Sequence, residues 1–184
     1  MKLTRRSFIR SAAAAAALAP VAGCAKAQPL FGKEGRNCLI AMCEQIVPAD
    51  ESCGGATEAG VINFIDNWLI SYHPEEYDAF VLGLGQFQKL IRENYPKDFQ
   101  DIPFKEQTEI LKLAQVGKLK GSMKPDEQRA FFKKVRDFAM MGFYGSPRHG
   151  GNKDGMSFKM MNFDVPLVVG QNRYNGTKVR KEAL

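Results

Sequence analysis

Thr57-Glu58-Ala59-Gly60-Val61-Ile62-Asn63-Phe64-Ile65-Asp66-Asn67-Trp68-Leu69-Ile70-Ser71-Tyr72 decides the fold class. Val61, Phe64, Ile65, Trp68, Leu69 and Tyr72 recur at the three-and-four spacing that puts them on one face of a helix, and Thr57 is read as its N-cap. Downstream, Pro74 with Glu75 and Glu76 opens a helix to about Asn94, striped by Tyr77, Phe80, Val81, Leu84, Phe87, Leu90 and Ile91. A shorter helix follows from Lys105 to about Val116, with Ile110, Leu111 and Leu113 inward. After a basic linker, Lys118 to Lys124, Pro125 opens another helix carrying Phe131, Phe132, Val135, Phe138 and Met141 toward Phe143. Upstream, Cys38, Leu39, Met42, Cys43 and Ile46 mark a helix from Glu34 to Val47, stopped by Pro48. Strand alternation is missing before residue 155, so the pattern predicts an all-α bundle of about five helices. Gly145 to Gly155 cannot continue a helix and is read as an irregular glycine-rich loop. Residues 34–164 are thus taken as the helical domain, 24–33 as a tether and 165–184 as an extended, basic tail.

The N-terminus reads as an address. Arg5 and Arg6, with Phe8 close behind, precede six alanines from Ala12 to Ala17 and a small-residue exit; together they resemble a twin-arginine export signal, whose route carries folded cargo. Val21-Ala22-Gly23-Cys24 resembles a lipobox, making Cys24 the candidate lipidated residue and 1–23 the signal peptide. Ordinary cleavage nearby, leaving Cys24 in the discarded peptide, is the competing reading. The expected location is the periplasm, lipid-anchored to a membrane. The 184 residues carry 26 Lys+Arg against 20 Asp+Glu, a balance of +6. Cleavage before Cys24 removes 23 residues, four of them basic and none acidic, leaving 161 residues at +2. The basic excess is therefore mostly signal peptide, and no nucleic-acid partner is expected. No apolar run reaches the roughly 18 to 20 residues of a spanning helix, which excludes a polytopic membrane protein. Cys38, Cys43 and Cys53 remain; either a pair involving Cys53 closes a disulfide, or the thiols are buried as small hydrophobes.

Chemistry-bearing motifs are sparse. The closest string to a dinucleotide fingerprint, Gly83-Leu84-Gly85-Gln86-Phe87-Gln88, lacks the third glycine and falls inside a helix, so it is read as a packing feature. His73 precedes Pro74 and is read as a helix cap rather than a ligand. Asn152-Lys153-Asp154-Gly155 fails as a calcium loop, because the required register puts Gly150 and Met161 where carboxylates must stand. Without a nucleophile, acid-base pair or metal cluster, the chain reads as a binding or assembly partner with no catalytic residue and no cofactor of its own.

Three strings then converge on a family. Ile46-Val47-Pro48-Ala49-Asp50, then Gly55-Ala56-Thr57-Glu58-Ala59-Gly60-Val61 leading to Phe64-Ile65-Asp66, and above all Gly142-Phe143-Tyr144-Gly145-Ser146-Pro147-Arg148-His149-Gly150-Gly151-Asn152-Lys153-Asp154-Gly155 resemble the gluconate 2-dehydrogenase subunit 3 family. The resemblance implies a small, non-catalytic gamma subunit bound to a large FAD-containing subunit of the glucose-methanol-choline type. It also implies a c-type cytochrome in many complexes, and a leader that takes the folded flavoprotein through the twin-arginine translocase. Two features depart from the family pattern: lipidation at Cys24, and His149 where a tyrosine is expected. Met140, Met141, Met156, Met160 and Met161 lie beside Phe143, Tyr144, Phe158 and Phe163; such adaptable groups suit a core, the default, or a partner surface. Phe143, Tyr144, Arg148, His149, Asn152, Asp154, Met156, Phe158 and Met160 are the candidate partner-interface residues, with the segment from Phe143 to Phe163 and the tail beyond Val165 expected to drape over the flavoprotein. A stand-alone lipoprotein and a subunit lending a substrate-contacting loop are the alternatives.

Overall fold

A computed structural model describes residues 31–163; Arg5, Arg6, Phe8, Cys24 and the tail 165–184 lie outside the described residues. Six α-helices occur among those described: α1 Lys33–Ile46, α2 Val61–Asn67, α3 Tyr77–Asn94, α4 Phe104–Gln115, α5 Pro125–Tyr144 and α6 Met156–Met160. The described residues are all-α, as the periodicity predicts. The sixth helix is additional, formed within the Met156 to Phe163 stretch.

The central element is α5, which packs against each of the other five helices. Phe131, Phe132, Val135, Phe138, Ala139, Gly142 and Phe143 form its buried face. Around it runs a ladder of rings: Phe80 lies 5.8 Å from Phe131 and 5.3 Å from Phe138, and Phe87 lies 5.7 Å from Phe131 and 5.5 Å from Phe99. Such pairs add about 0.5–1.5 kcal/mol each beyond their area burial. Phe31, inside the span read as a tether, is buried and stands 5.9 Å from Phe80, so the packed part of the chain already includes it.

Small residues set the register of the stripes. Leu113 and Met141, expected inward, are exposed, and the core positions go to Ala114 and Gly142. A Cβ on Gly142 would meet the Phe64 side chain at 3.1 Å, and one on Gly83 would meet the Phe131 ring at 2.8 Å. Gly83 is thus a packing glycine buried in α3, and its string has no loop to hold a dinucleotide. The basic linker is pinned: Gln128, fully buried on α5, accepts from the Leu119 N–H and donates to the Leu119 and Met123 carbonyls.

Thr57 does not cap α2. Its hydroxyl donates to Glu44 Oε2 (2.7 Å), tying the turn to α1, and α2 starts after Gly60, which takes the left-handed φ of 71°.

Cys38, Cys43 and Cys53 are free, the first two buried inside α1. Burial raises both thiols, that of Cys43 to about 12. Iodoacetamide at neutral pH is accordingly expected to label Cys53 while sparing Cys38 and Cys43 in the folded chain; equal labelling of all three would contradict this burial. The same shift has a sign for stability. Unfolded thiols ionise near pH 9 and the folded ones stay protonated, so stability is intact below that pH. It falls by up to about 1.4 kcal/mol per pH unit per thiol as the solution becomes more alkaline. A urea midpoint that drops between pH 8 and pH 10, and drops less in Cys43→Ala, is the expected result.

Candidate docking face

The end of α2 builds one half of this region. Pro74 has no N–H and disfavours helical backbone at His73, and the chain widens into a π-turn over Trp68–Tyr72, closed by a 2.8 Å bond from the His73 N–H to the Trp68 carbonyl. The extra residue per turn rotates the stripe. Leu69 stays buried while Tyr72, expected inward, is 48% exposed beside exposed Ile70. His73 does not cap the next turn through its ring. Its Nδ1 pairs with Glu75 Oε1 at 2.9 Å and the ring stacks on Trp68 at 4.5 Å.

The glycine-rich loop supplies the other half, and it is ordered by side-chain-to-backbone bonds. Pro147–His149 and Lys153–Gly155 form 3-10 turns. Between them Gly150 (φ 98°) and Asn152 (φ 44°) adopt left-handed backbone, followed by Asp154 (φ 56°) and Gly155 (φ 66°). Asn152 is completely buried; its Nδ2 donates to the Gly145 carbonyl (2.8 Å) and its Oδ1 accepts from the Ser157 N–H (2.9 Å), locking the loop to α6. The Lys153 N–H bonds the Ala59 carbonyl (3.0 Å) and Asn67 Nδ2 bonds the His149 carbonyl (3.1 Å), so the loop is sewn onto both ends of α2.

This closure brings Tyr72, Arg148 and His149 together. Arg148 Nε donates to His149 Nε2 at 3.0 Å, so the neutral ring carries its proton on Nδ1 and donates it to the Tyr72 hydroxyl, also at 3.0 Å. Tyr72 then has its own O–H to offer outward, alongside the remaining guanidinium donors of Arg148. The chain of groups is suited to hydrogen-bonded recognition.

Of the nine candidate interface residues, Phe143 and Asn152 are corrected: both are buried in this chain's own interior and present no surface. Their roles are internal, Phe143 packing the core end of α5 and Asn152 bracing the loop. Tyr144, Arg148, Asp154 and Met160 are exposed; His149, Met156 and Phe158 are half-buried. The methionines reverse the core default. Met140, Met141, Met160 and Met161 are all exposed, with Tyr144 and Phe163, which is 56% exposed. These groups sit on the last turns of α5 and at the end of α6, two helices that pack together. The sequence reading did not place Ile70 and Tyr72 on the surface, and the signal for them was their position at a helix end just before Pro74.

Among the described residues, no helix is long and apolar enough to cross a membrane, and no three His, Cys, Asp or Glu side chains are placed to hold a metal ion.

The described residues thus form an all-helical domain with a braced loop and exposed methionine and aromatic side chains at the ends of α5 and α6. The family model for gluconate 2-dehydrogenase subunit 3 matches residues 33–165, and the chain belongs to that family, whose members are subunits of a dehydrogenase complex. No curated protein and no solved structure matches the chain.

Proposed function

We propose that this chain is the non-catalytic gamma subunit of a periplasmic FAD-dependent sugar or gluconate dehydrogenase. It escorts the folded flavoprotein through the twin-arginine route, stabilises it and tethers it to a membrane through Cys24. Family membership carries the reading, since the family is defined as a dehydrogenase subunit. The structure supports it by its surface: a monomer gains nothing from exposing Met140, Met141, Tyr144, Met160, Met161 and Phe163 at one end, whereas a partner surface uses unbranched thioethers and rings that adapt to it. FAD belongs to the large subunit in this reading, and a c-type cytochrome is a further partner.

The test is co-purification. Met160→Lys with Phe163→Lys changes two exposed groups at the end of α6, where surface substitutions shift stability by only about 0.5 kcal/mol. The expected result is a loss of most of the flavin that co-purifies with the tagged chain, at an unchanged melting temperature. Undiminished flavin would remove this end of the molecule from the interface.

The outward donors of Tyr72 and Arg148 favour a second reading, a loop lent to the partner's substrate site. It predicts altered turnover in Arg148→Ala with assembly intact.

A further inference from the structure

Charge is unevenly divided along the chain. Residues 31–137 carry 14 Lys+Arg against 17 Asp+Glu, whereas residues 138–163 carry three cations, Arg148, Lys153 and Lys159, against Asp154 alone. The sequence beyond continues the excess, with Arg173, Lys178, Arg180 and Lys181 against Asp164 and Glu182. Pairing is divided in the same way. Salt bridges tie α1 to α2 (Arg36–Asp66) and to α3 (Glu34–Arg92), and α5 to the turn before α3 (Lys134–Glu76). Others lie within or next to α3, α4 and α5. Among the described residues none reaches past Asp137, so Arg148, Lys153 and Lys159, all exposed, have no carboxylate partner.

These three cations border the apolar end. Lys159 precedes Met160 on α6, Lys153 stands in the 3-10 turn that leads into α6, and Arg148 in the turn that follows α5. Arg148 is also held in one orientation. Its Nε donates to His149 Nε2 at 3.0 Å, which leaves both Nη groups without a partner and able to fork a carboxylate end-on. A partner that covers the exposed methionines and rings brings its own surface against these charges. A basic surface is repelled there, and an apolar one strips water from the cations without replacing its hydrogen bonds.

We propose that the dehydrogenase large subunit meets this end with an apolar patch bordered by Asp or Glu side chains, which pair with Arg148, Lys153 and Lys159. The proposal rests on the reading of the chain as a dehydrogenase subunit and adds the chemistry of the surface it binds. An anionic lipid surface also attracts cations beside apolar groups. The geometry favours a protein, because a guanidinium oriented by a side-chain hydrogen bond, on a loop braced by Asn152, suits a carboxylate at one fixed place, whereas lipid headgroups diffuse. Charges at the border of an interface set the encounter rate and orientation more than the final strength, so the signature is a salt dependence.

The experiment uses the full chain with the flavoprotein that co-purifies with it. One variant neutralises the border (Arg148→Gln, Lys153→Gln and Lys159→Gln together), and a control makes the same charge change at exposed positions of α4 and the linker (Lys105→Gln, Lys118→Gln and Lys120→Gln). Wild-type affinity is expected to fall as salt is raised from about 50 to 500 mM. The border variant is expected to bind about ten-fold more weakly at low salt, mainly through slower association, and to lose most of that salt dependence, with turnover per bound flavin unchanged. The control is expected to match the wild type. Salt-independent binding of the wild type, wild-type affinity in the border variant, or an equal loss in the control overturns the proposal and leaves the subunit reading standing. A border variant also carrying Cys24→Ser that no longer sediments with phosphatidylglycerol vesicles, as the Cys24→Ser chain does, yet keeps full flavoprotein affinity assigns this end to a lipid surface and likewise overturns it. Failure of the unmodified chain to co-purify any flavoprotein overturns both.

Discussion

Gly151→Val is expected to dislodge the glycine-rich loop and to lower the melting temperature by about 10–15 °C, corresponding to roughly 3–5 kcal/mol for a domain of this size. Gly151 is buried against α5, and a Cβ there would overlap the Gly142 carbonyl oxygen and come within 3.0 Å of the Gly142 Cα. Those are backbone atoms of the last turn of α5, so no rotamer change relieves the overlap. Gly142 cannot retreat either, because its opposite side lies against the Phe64 ring. Once the loop lifts, Asn152 loses its bonds to Gly145 and Ser157 and leaves buried backbone groups unpaired, at about 1–3 kcal/mol each. Gly85→Ala is the control. It lies on an exposed face of α3 with no atom within 4 Å of the added carbon, so it is expected to be neutral or to stabilise by up to about 1 kcal/mol. Identical melts for Gly151→Val and Gly85→Ala would refute the contact. Because the loop holds Arg148 and His149 against Tyr72, the same variant is expected to lose flavoprotein binding.

That glycine-on-glycine contact also marks where the sequence stops being legible. The helices of α1, α3, α4 and α5 follow from apolar spacing and from proline and acidic residues at their starts, because those are local physical constraints. What spacing cannot say is which member of a stripe is largest in the core. Leu113 and Met141 look like better core residues than Ala114 and Gly142, yet close approach of α5 to α2 and α4 requires the small ones. Nor does a 3.6-residue template survive the π-turn: one added residue rotates the stripe, which is why Tyr72 leaves the face that Val61 and Phe64 share. The loop was readable as a loop from Gly150, Gly151 and Gly155. Its burial was not, since Asn152 is polar and is stable inside only because Gly145 and Ser157 both use its amide. Methionine is ambiguous in principle: the same flexible thioether fills a core gap or meets a partner, and only exposure separates the two.

The largest functional effect is expected at the other end of the chain, from Arg5→Lys with Arg6→Lys. These substitutions keep both positive charges, so attraction to an anionic membrane surface or to a general secretion receptor is little changed, while the paired guanidinium groups that would mark the proposed twin-arginine signal are lost. On the proposed reading one leader serves two chains, and its loss strands both. The dehydrogenase is then expected to accumulate in the cytoplasm, folded, flavin-loaded and still bound to this subunit, while periplasmic activity falls to near zero. On the same proposed reading Cys24→Ser separates export from anchoring, since the thiol would be the acylation site and the paired arginines the export mark. It is expected to leave total exported activity intact and to move it from the membrane fraction to the soluble periplasm. Fractionating cells that carry each variant and assaying a dye-linked sugar dehydrogenase in every fraction reads both effects. Unchanged periplasmic activity in the double lysine variant removes the escort role, and membrane retention of the Cys24→Ser complex removes the lipid tether. The escort role further requires the complex to form before transport. Gly151→Val, which changes the folded docking loop and leaves the leader sequence untouched, should therefore also reduce export of the flavoprotein.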